Sequence, residues 1–102
     1  MTTPIAQGNS VLYVINAEDA NQINRRHTDG GHIGNTTLVG DIYPAVVLRV
    51  WGTDENPPVN LRVFLDGSDT YWATSRHEDE DKGHGTWHRP LRGDEDLPPE
   101  TA

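Results

Sequence analysis

Residues 41–87 read DIYPAVVLRVWGTDENPPVNLRVFLDGSDTYWATSRHEDEDKGHGTW, and this stretch decides the fold. It carries all three Trp, two of the three Tyr, the only Phe and most of the β-branched residues. Three strand-like segments, 42–51, 60–65 and 70–76, are separated by turn chemistry and not by helical periodicity. Gly52–Pro58 (GTDENPP) is a loop stiffened by paired prolines. Asp66-Gly67-Ser68-Asp69 is the strongest local signal, a tight hairpin turn. The pattern predicts an antiparallel meander.

Within the first segment Ile42, Pro44, Val46, Leu48 and Val50 are all apolar and are expected to face the core. Tyr43, Ala45, Val47, Arg49 and Trp51 then form a mixed opposite face. A strand apolar on nearly both faces is central or covered by another layer. Pro44 has no N–H, so pairing on that side is expected to start after it. In the second segment Leu61, Val63 and Leu65 point inward, and Arg62 and Phe64 outward or toward a second layer. In the third, Tyr71, Ala73 and Ser75 share one face, with Thr70, Trp72, Thr74 and Arg76 on the other.

Upstream, Val11–Ile15 (VLYVI) is an apolar, β-branched run of strand length. Asn16 suits a helix N-cap, Glu18 and Asp19 complement the positive end of the helix dipole, and Arg25 and Arg26 the negative end. With Ala17, Ala20 and Ile23 at three-residue spacing, they predict a short amphipathic helix over 17–26, stopped by the TDGG at 28–31. Residues 32–40 read as a loop with a short strand at Thr37–Val39, and Thr86-Trp87-His88 as a last short strand. The fold class is therefore mainly β, a small antiparallel barrel-like or sandwich meander of about five strands with one short N-terminal helix. Its boundaries are an N-terminal arm at 1–10, a single domain at 11–90 with an acidic loop at 77–85, and an acidic, Pro-containing tail at 91–102.

A chain of 102 residues is one domain by size, and 33% hydrophobic content leaves only a small core. There is no Cys, hence no disulfide and no thiolate metal site. No apolar run approaches the roughly 20 residues that cross a bilayer, and Met1–Ser10 has no signal-peptide core, so a soluble protein without membrane contact is expected. The net charge of −8 is concentrated in Glu78, Asp79, Glu80 and Asp81 and in Asp94, Glu95, Asp96 and Glu100. The other acids balance the Lys and Arg, so the body is near neutral and the acidic runs are expected to be solvated. Direct nucleic-acid binding is not expected, because phosphate affinity comes from Lys and Arg.

His27, His32, His77, His84 and His88 invite a zinc reading, yet no two stand at a recognised ligand spacing on a helix. Surface or loop-packing roles are expected for them, with no metal. Asp66–Asp69 lacks the glycine and closing glutamate of a calcium loop. Ser10, Ser68 and Ser75 lie in an arm, a turn and a strand end, with no base singled out for them. The chain is therefore expected to be no enzyme, with no catalytic residue and no cofactor. What remains is an excess of aromatics for so small a core: Trp51, Phe64 and Trp72 are expected to form a docking patch. Arg25 and Arg26 join them as candidate partner contacts, although complementing the helix dipole also accounts for that pair.

Ile23-Asn24-Arg25-Arg26, His32-Ile33-Gly34-Asn35, and Asp41 to Trp51 with its Pro-Ala-Val-Val-Leu-Arg-Val-Trp run are followed in order by further motifs. These are Val59-Asn60-Leu61-Arg62-Val63-Phe64-Leu65-Asp66-Gly67, then Asp69-Thr70-Tyr71-Trp72-Ala73-Thr74-Ser75, then Gly85-Thr86-Trp87-His88. Over residues 11–90 the chain resembles a family of small tailed-bacteriophage proteins encoded near virion structural genes. The resemblance implies no catalytic residue. It implies a phage protein. A near-neutral β body with polar arms and no catalytic constellation then suits a structural protein of the virion, a capsid decoration or cement subunit expected to bind the major capsid protein lattice after assembly in the host cytoplasm. Alternatives are a head–tail connector or tail component and, of another class, a regulatory protein meeting a host target as an acidic nucleic-acid mimic. A homo-oligomer is compatible with each. The chain departs from the family in the acidic insertion Glu78–Lys82 and in its acidic tail.

Overall fold

The structure, a computed structural model, describes residues 3–29 and 34–90. Met1, Thr2, the stop signal at Gly30 and Gly31, His32, Ile33 and the expected tail at 91–102 lie outside the described residues. The elements in order are β1 (Ser10–Val14), α1 (Ala17–Asp29), β2 (Ile42–Val50), β3 (Val59–Phe64), β4 (Thr70–Arg76) and β5 (Trp87–His88). All strand pairings between them are antiparallel, in one five-stranded sheet of order β4-β3-β2-β1-β5. The expected meander is β2-β3-β4, and one face of the sheet is covered by α1. The sheet does not close into a barrel. Its two edges meet only past the end of β4, where Glu78 forms a parallel bridge with Trp87.

The core shows why the chain folds this way. Val11, Tyr13, Ile15, Ala45, Val47, Val59, Leu61, Val63, Ala73 and Trp87 are all at most 1% exposed, and α1 adds Ile23 and Ala20 to the same cluster. Burial of each large side chain contributes about 1.5–3 kcal/mol, which suffices to hold a sheet with a single covering helix.

Strand β2 corrects the expected phase. Ala45 and Val47 point inward at 1% exposure, whereas Ile42 is 46% exposed and Pro44 is exposed. The cause is a β-bulge: the register with β3 slips between Val47 and Arg49, so Leu48 is an extra residue. Counting back by twos from Val50, which does pack on the core, therefore assigns the wrong face to everything before the bulge. Pro44 behaves as its chemistry requires. Val47 N–H donates to Asn9 C=O (2.9 Å) and Ile15 N–H to Asp41 C=O (2.9 Å), so the odd residues of β2 bond to β1. Pro44 thus turns its nitrogen to β3, where pairing begins at Ala45.

Other boundaries shift. α1 runs three residues past the expected end, to Asp29, and β2 stops at Val50, leaving Trp51 outside. Thr37–Val39 is not a strand; Asn24 of α1 holds this segment through Asn24 Nδ2–H to Thr37 C=O (2.8 Å) and Thr37 N–H to Asn24 Oδ1 (2.9 Å). The segment expected as a free N-terminal arm instead packs on the body from residue 5. Ile5 joins the core, and Gly8 N–H donates to Val47 C=O (2.7 Å).

Candidate functional site

Two sites emerge from the side chains, one inside and one outside. The inner one centres on Asp19, which is fully buried. Asn16 caps α1: its Oδ1 accepts Asp19 N–H (2.7 Å), and Asp19 Oδ2 accepts Asn16 N–H (3.1 Å). This is a capping box with Asp in place of Glu, and the shorter side chain keeps the carboxylate against the sheet. There Oδ2 also accepts Tyr13 O–H (2.5 Å), while Oδ1 accepts Tyr71 O–H (2.9 Å) and Arg76 Nη2 (3.0 Å).

Burial first, then the hydrogen bond to Asp19 and its negative charge, push the phenol of Tyr71 up to about 12 and that of Tyr13 higher still. Both therefore stay neutral donors. A carboxylate offers about four acceptor positions, and four donors occupy them here, so Asp19 ties α1 to β1 and β4 and has no capacity left for a substrate.

A similar tie closes the other end of α1. Arg26 Nη2 lies 2.8 Å from a carboxylate oxygen of buried Asp69 and donates to Thr70 C=O (3.1 Å). Arg26 is thereby engaged within the chain. Arg25 is exposed on α1, which covers the opposite face of the sheet from Phe64 and Trp72. Neither arginine joins the expected docking patch.

Trp51, Phe64 and Trp72 do come together on one face. Cross-strand partners Val46, Arg62 and Trp72 form one row across β2, β3 and β4, and Phe64 sits opposite Thr70 in the next row. These residues alternate with buried Ala45, Val63 and Tyr71, so they lie on the side away from α1. Trp72 is 60% exposed, Phe64 44% and Trp51 42%. Asn60 brings Trp51 onto the same face: its Oδ1 accepts Trp51 Nε1–H (3.1 Å) and Ser75 N–H (2.9 Å). Arg49 stacks on the Trp51 ring with its guanidinium carbon 4.3 Å from the centroid.

Sequence reasoning missed Ile42, Pro44, Val46 and Asn60 as members of this face. The bulge hid the first three. Asn60 carried no signal, since a polar residue in a strand is ordinary.

A cleft of about 830 Å³ opens between the β2–β3 loop, the N-terminal segment and the start of the acidic loop. Ile5, Val50 and Trp87 line it together with Asp54, Glu55 and Glu80. Beside it Arg89 Nε donates to Glu78 Oε2 (3.1 Å), and Asp79 turns its carboxylate onto Asp81 N–H (2.9 Å) and Gly83 N–H (3.2 Å). Half of the expected solvated acidic run is thus engaged in holding its own loop. His77 and His84 are exposed, but His88 is buried in β5 and His27 largely buried on α1, neither at the surface nor in a loop as expected. Among the described residues no three His, Asp or Glu side chains converge as a metal site. Comparison with protein families, curated proteins and solved structures finds no match to this chain.

Proposed function

We propose that this chain is a non-enzymatic accessory structural protein of a tailed-phage virion, a capsid decoration subunit that seats its outer sheet face on the major capsid protein lattice. The observation that carries the reading is the concentration of Ile42, Trp51, Phe64 and Trp72, each more than 40% exposed, on or beside a face that no described element of the chain covers. Monomeric soluble proteins seldom leave large aromatics grouped in this way unless a partner buries them. Aromatic residues flanked by arginine, here Arg49 and Arg62, are the composition that dominates binding energy at protein interfaces. The resemblance to phage proteins encoded near virion genes names the partner class. The lattice multiplies one modest contact by its symmetry.

The test is binding of the purified chain to emptied or mature capsids, with its copy number counted in purified virions. Stoichiometry with the coat protein is expected, and Phe64→Ala with Trp72→Ala lowers occupancy by at least about tenfold. Absence from the particle refutes the reading; a copy number of a single ring moves it to the head–tail connector. The acid-lined cleft favours a second reading, a regulator that occupies a basic site on a host protein. Expression early in infection with no copy in the particle distinguishes it.

A further inference from the structure

Strand β4 is an edge of the sheet, and its outward backbone groups are satisfied at both ends but open in the middle. Leu65 N–H donates to Asp69 C=O (3.3 Å), so the odd residues of the following strand bond to β3, through the pairs Val63–Tyr71 and Leu61–Ala73. The even residues point away. At the first end, Thr70 C=O accepts Arg26 Nη2 (3.1 Å) and Thr70 N–H donates to Asp69 Oδ1 (2.7 Å). At the other, Arg76 C=O accepts Trp87 Nε1–H (3.0 Å) and His77 C=O accepts Trp87 N–H (3.1 Å).

Between them the N–H and C=O of Trp72 and of Thr74 meet no partner among the described residues, and both side chains are exposed. A bulge at Ser75, with φ 56° and a register slip opposite Val59 and Leu61, ends the open stretch. Residues 71–75 include no charged residue and no Pro, the types that keep natural edges from pairing.

We propose that this edge pairs with the same edge of a second copy of the chain, antiparallel and centred on Ala73. One register closes all four groups: Trp72 of each copy stands opposite Thr74 of the other, and each such pair exchanges two N–H···O bonds. The open stretch is therefore complementary to itself about a two-fold axis, the condition for an isologous interface.

The two-fold sets Thr70 of one copy across from Arg76 of the other. Arg26 beside Thr70 is balanced by Asp69 (2.8 Å) and Arg76 by Asp19 (3.0 Å), so the paired ends meet with these guanidinium charges already neutralised. The pairing also places the two outer faces side by side, so a dimer presents Phe64 and Trp72 twice. This inference does not depend on what that face binds.

Sedimentation of the full chain from micromolar to millimolar concentration tests it. The mass is expected to rise with concentration toward twice 11.3 kDa. Thr74→Pro removes an N–H that the chain's own ladder does not use, and it is expected to abolish the rise while leaving circular dichroism and the thermal midpoint near those of the parent. Phe64→Ala, one strand inward, leaves association unchanged. Trp72→Pro removes the other outward N–H and is expected to abolish the rise in the same way. A monomer at every concentration overturns the proposal, as does a dimer that persists in folded Thr74→Pro. Should Thr74→Pro fail to fold, Trp72→Pro decides in its place, and a dimer that persists in it refutes the pairing. A chain that stays monomeric, yet loses capsid binding in Thr74→Pro, assigns the edge to a coat-protein strand and also refutes it.

Discussion

Replacing Asp19 by Asn changes almost no volume and tests whether one carboxylate holds the helix to the sheet. Four donors converge on Asp19: two phenols, the Arg76 guanidinium and the Asn16 N–H. An amide supplies one acceptor oxygen and, at the other position, an NH2 that faces two donors. If the oxygen stays with Tyr13 and Asn16, Tyr71 and Arg76 lose their acceptor; the reverse flip strands Tyr13 and Asn16. A hydrogen bond to a charged group is worth about 1.5–3 kcal/mol, and a buried donor left unsatisfied costs about 1–3 kcal/mol. The sum lands at about 3–5 kcal/mol, the range found when one partner of a buried ion pair is removed.

Domains of this size are stable by only about 5–15 kcal/mol, so Asp19→Asn removes a large share. The thermal midpoint is expected to fall by about 12–40 °C, at roughly 4–8 °C per kcal/mol. Urea titration followed by circular dichroism and by tryptophan fluorescence measures the loss of stability. Arg76→Met in the Asp19→Asn background should then cost less than in the parent, because its main acceptor has already gone. A loss under about 1 kcal/mol for Asp19→Asn, or full additivity of the pair, refutes the assigned role.

Stability should also depend on alkaline pH. A phenol normally ionises near 10. Tyr71 is raised to about 12 by burial and by Asp19, and Tyr13 further, so their contribution is complete below pH about 10 and lost as pH climbs through 12. Phenolate absorbance is expected to appear in one cooperative step with unfolding, and separate ionisation of these tyrosines near pH 10 contradicts the assignment. Gly85→Ala should cost about 1–3 kcal/mol, read from the denaturation midpoint. Gly85 sits at φ +82°, and an added Cβ would meet Asn16 Nδ2 at 2.8 Å, pressing on the cap of α1. Asn60→Ala should lose about 1–3 kcal/mol and expose the Trp51 indole N–H to solvent exchange in NMR spectra. The Trp87 indole, bonded to Arg76 C=O, should stay protected; equal exchange of both would count against the arrangement.

The meander was legible because its signals are local: the Asp66–Asp69 turn, the alternation in β3 and β4, and a helix marked by Asn16 at one end and arginines at the other. The phase of β2 was not, because Ile42 to Val50 is apolar on both sides and only contact with β3 reveals Leu48 as the extra residue. Asp19 reads as a helix-dipole residue, and nothing nearby in the chain announces Tyr71 or Arg76, 52 and 57 residues away. For the outer face, the alternation of Phe64 and Trp72 was sufficient, since each neighbours a residue that is unmistakably buried. The tie of Arg26 to Asp69 was not legible, because Asp69 belongs to a hairpin whose position relative to the helix is a tertiary fact.

Trp87 fastens both ends of the acidic loop: it donates to His77 C=O, accepts from Asp79 N–H, and follows Gly85 and Thr86, which bond to Val14. With its roots pinned in this way, the segment between Asp79 and Gly85 can change length without disturbing the sheet. Even a doubling adds only about 0.6 kcal/mol of closure entropy. The fold thus has a place where negative charge can be gained or shed at almost no structural risk.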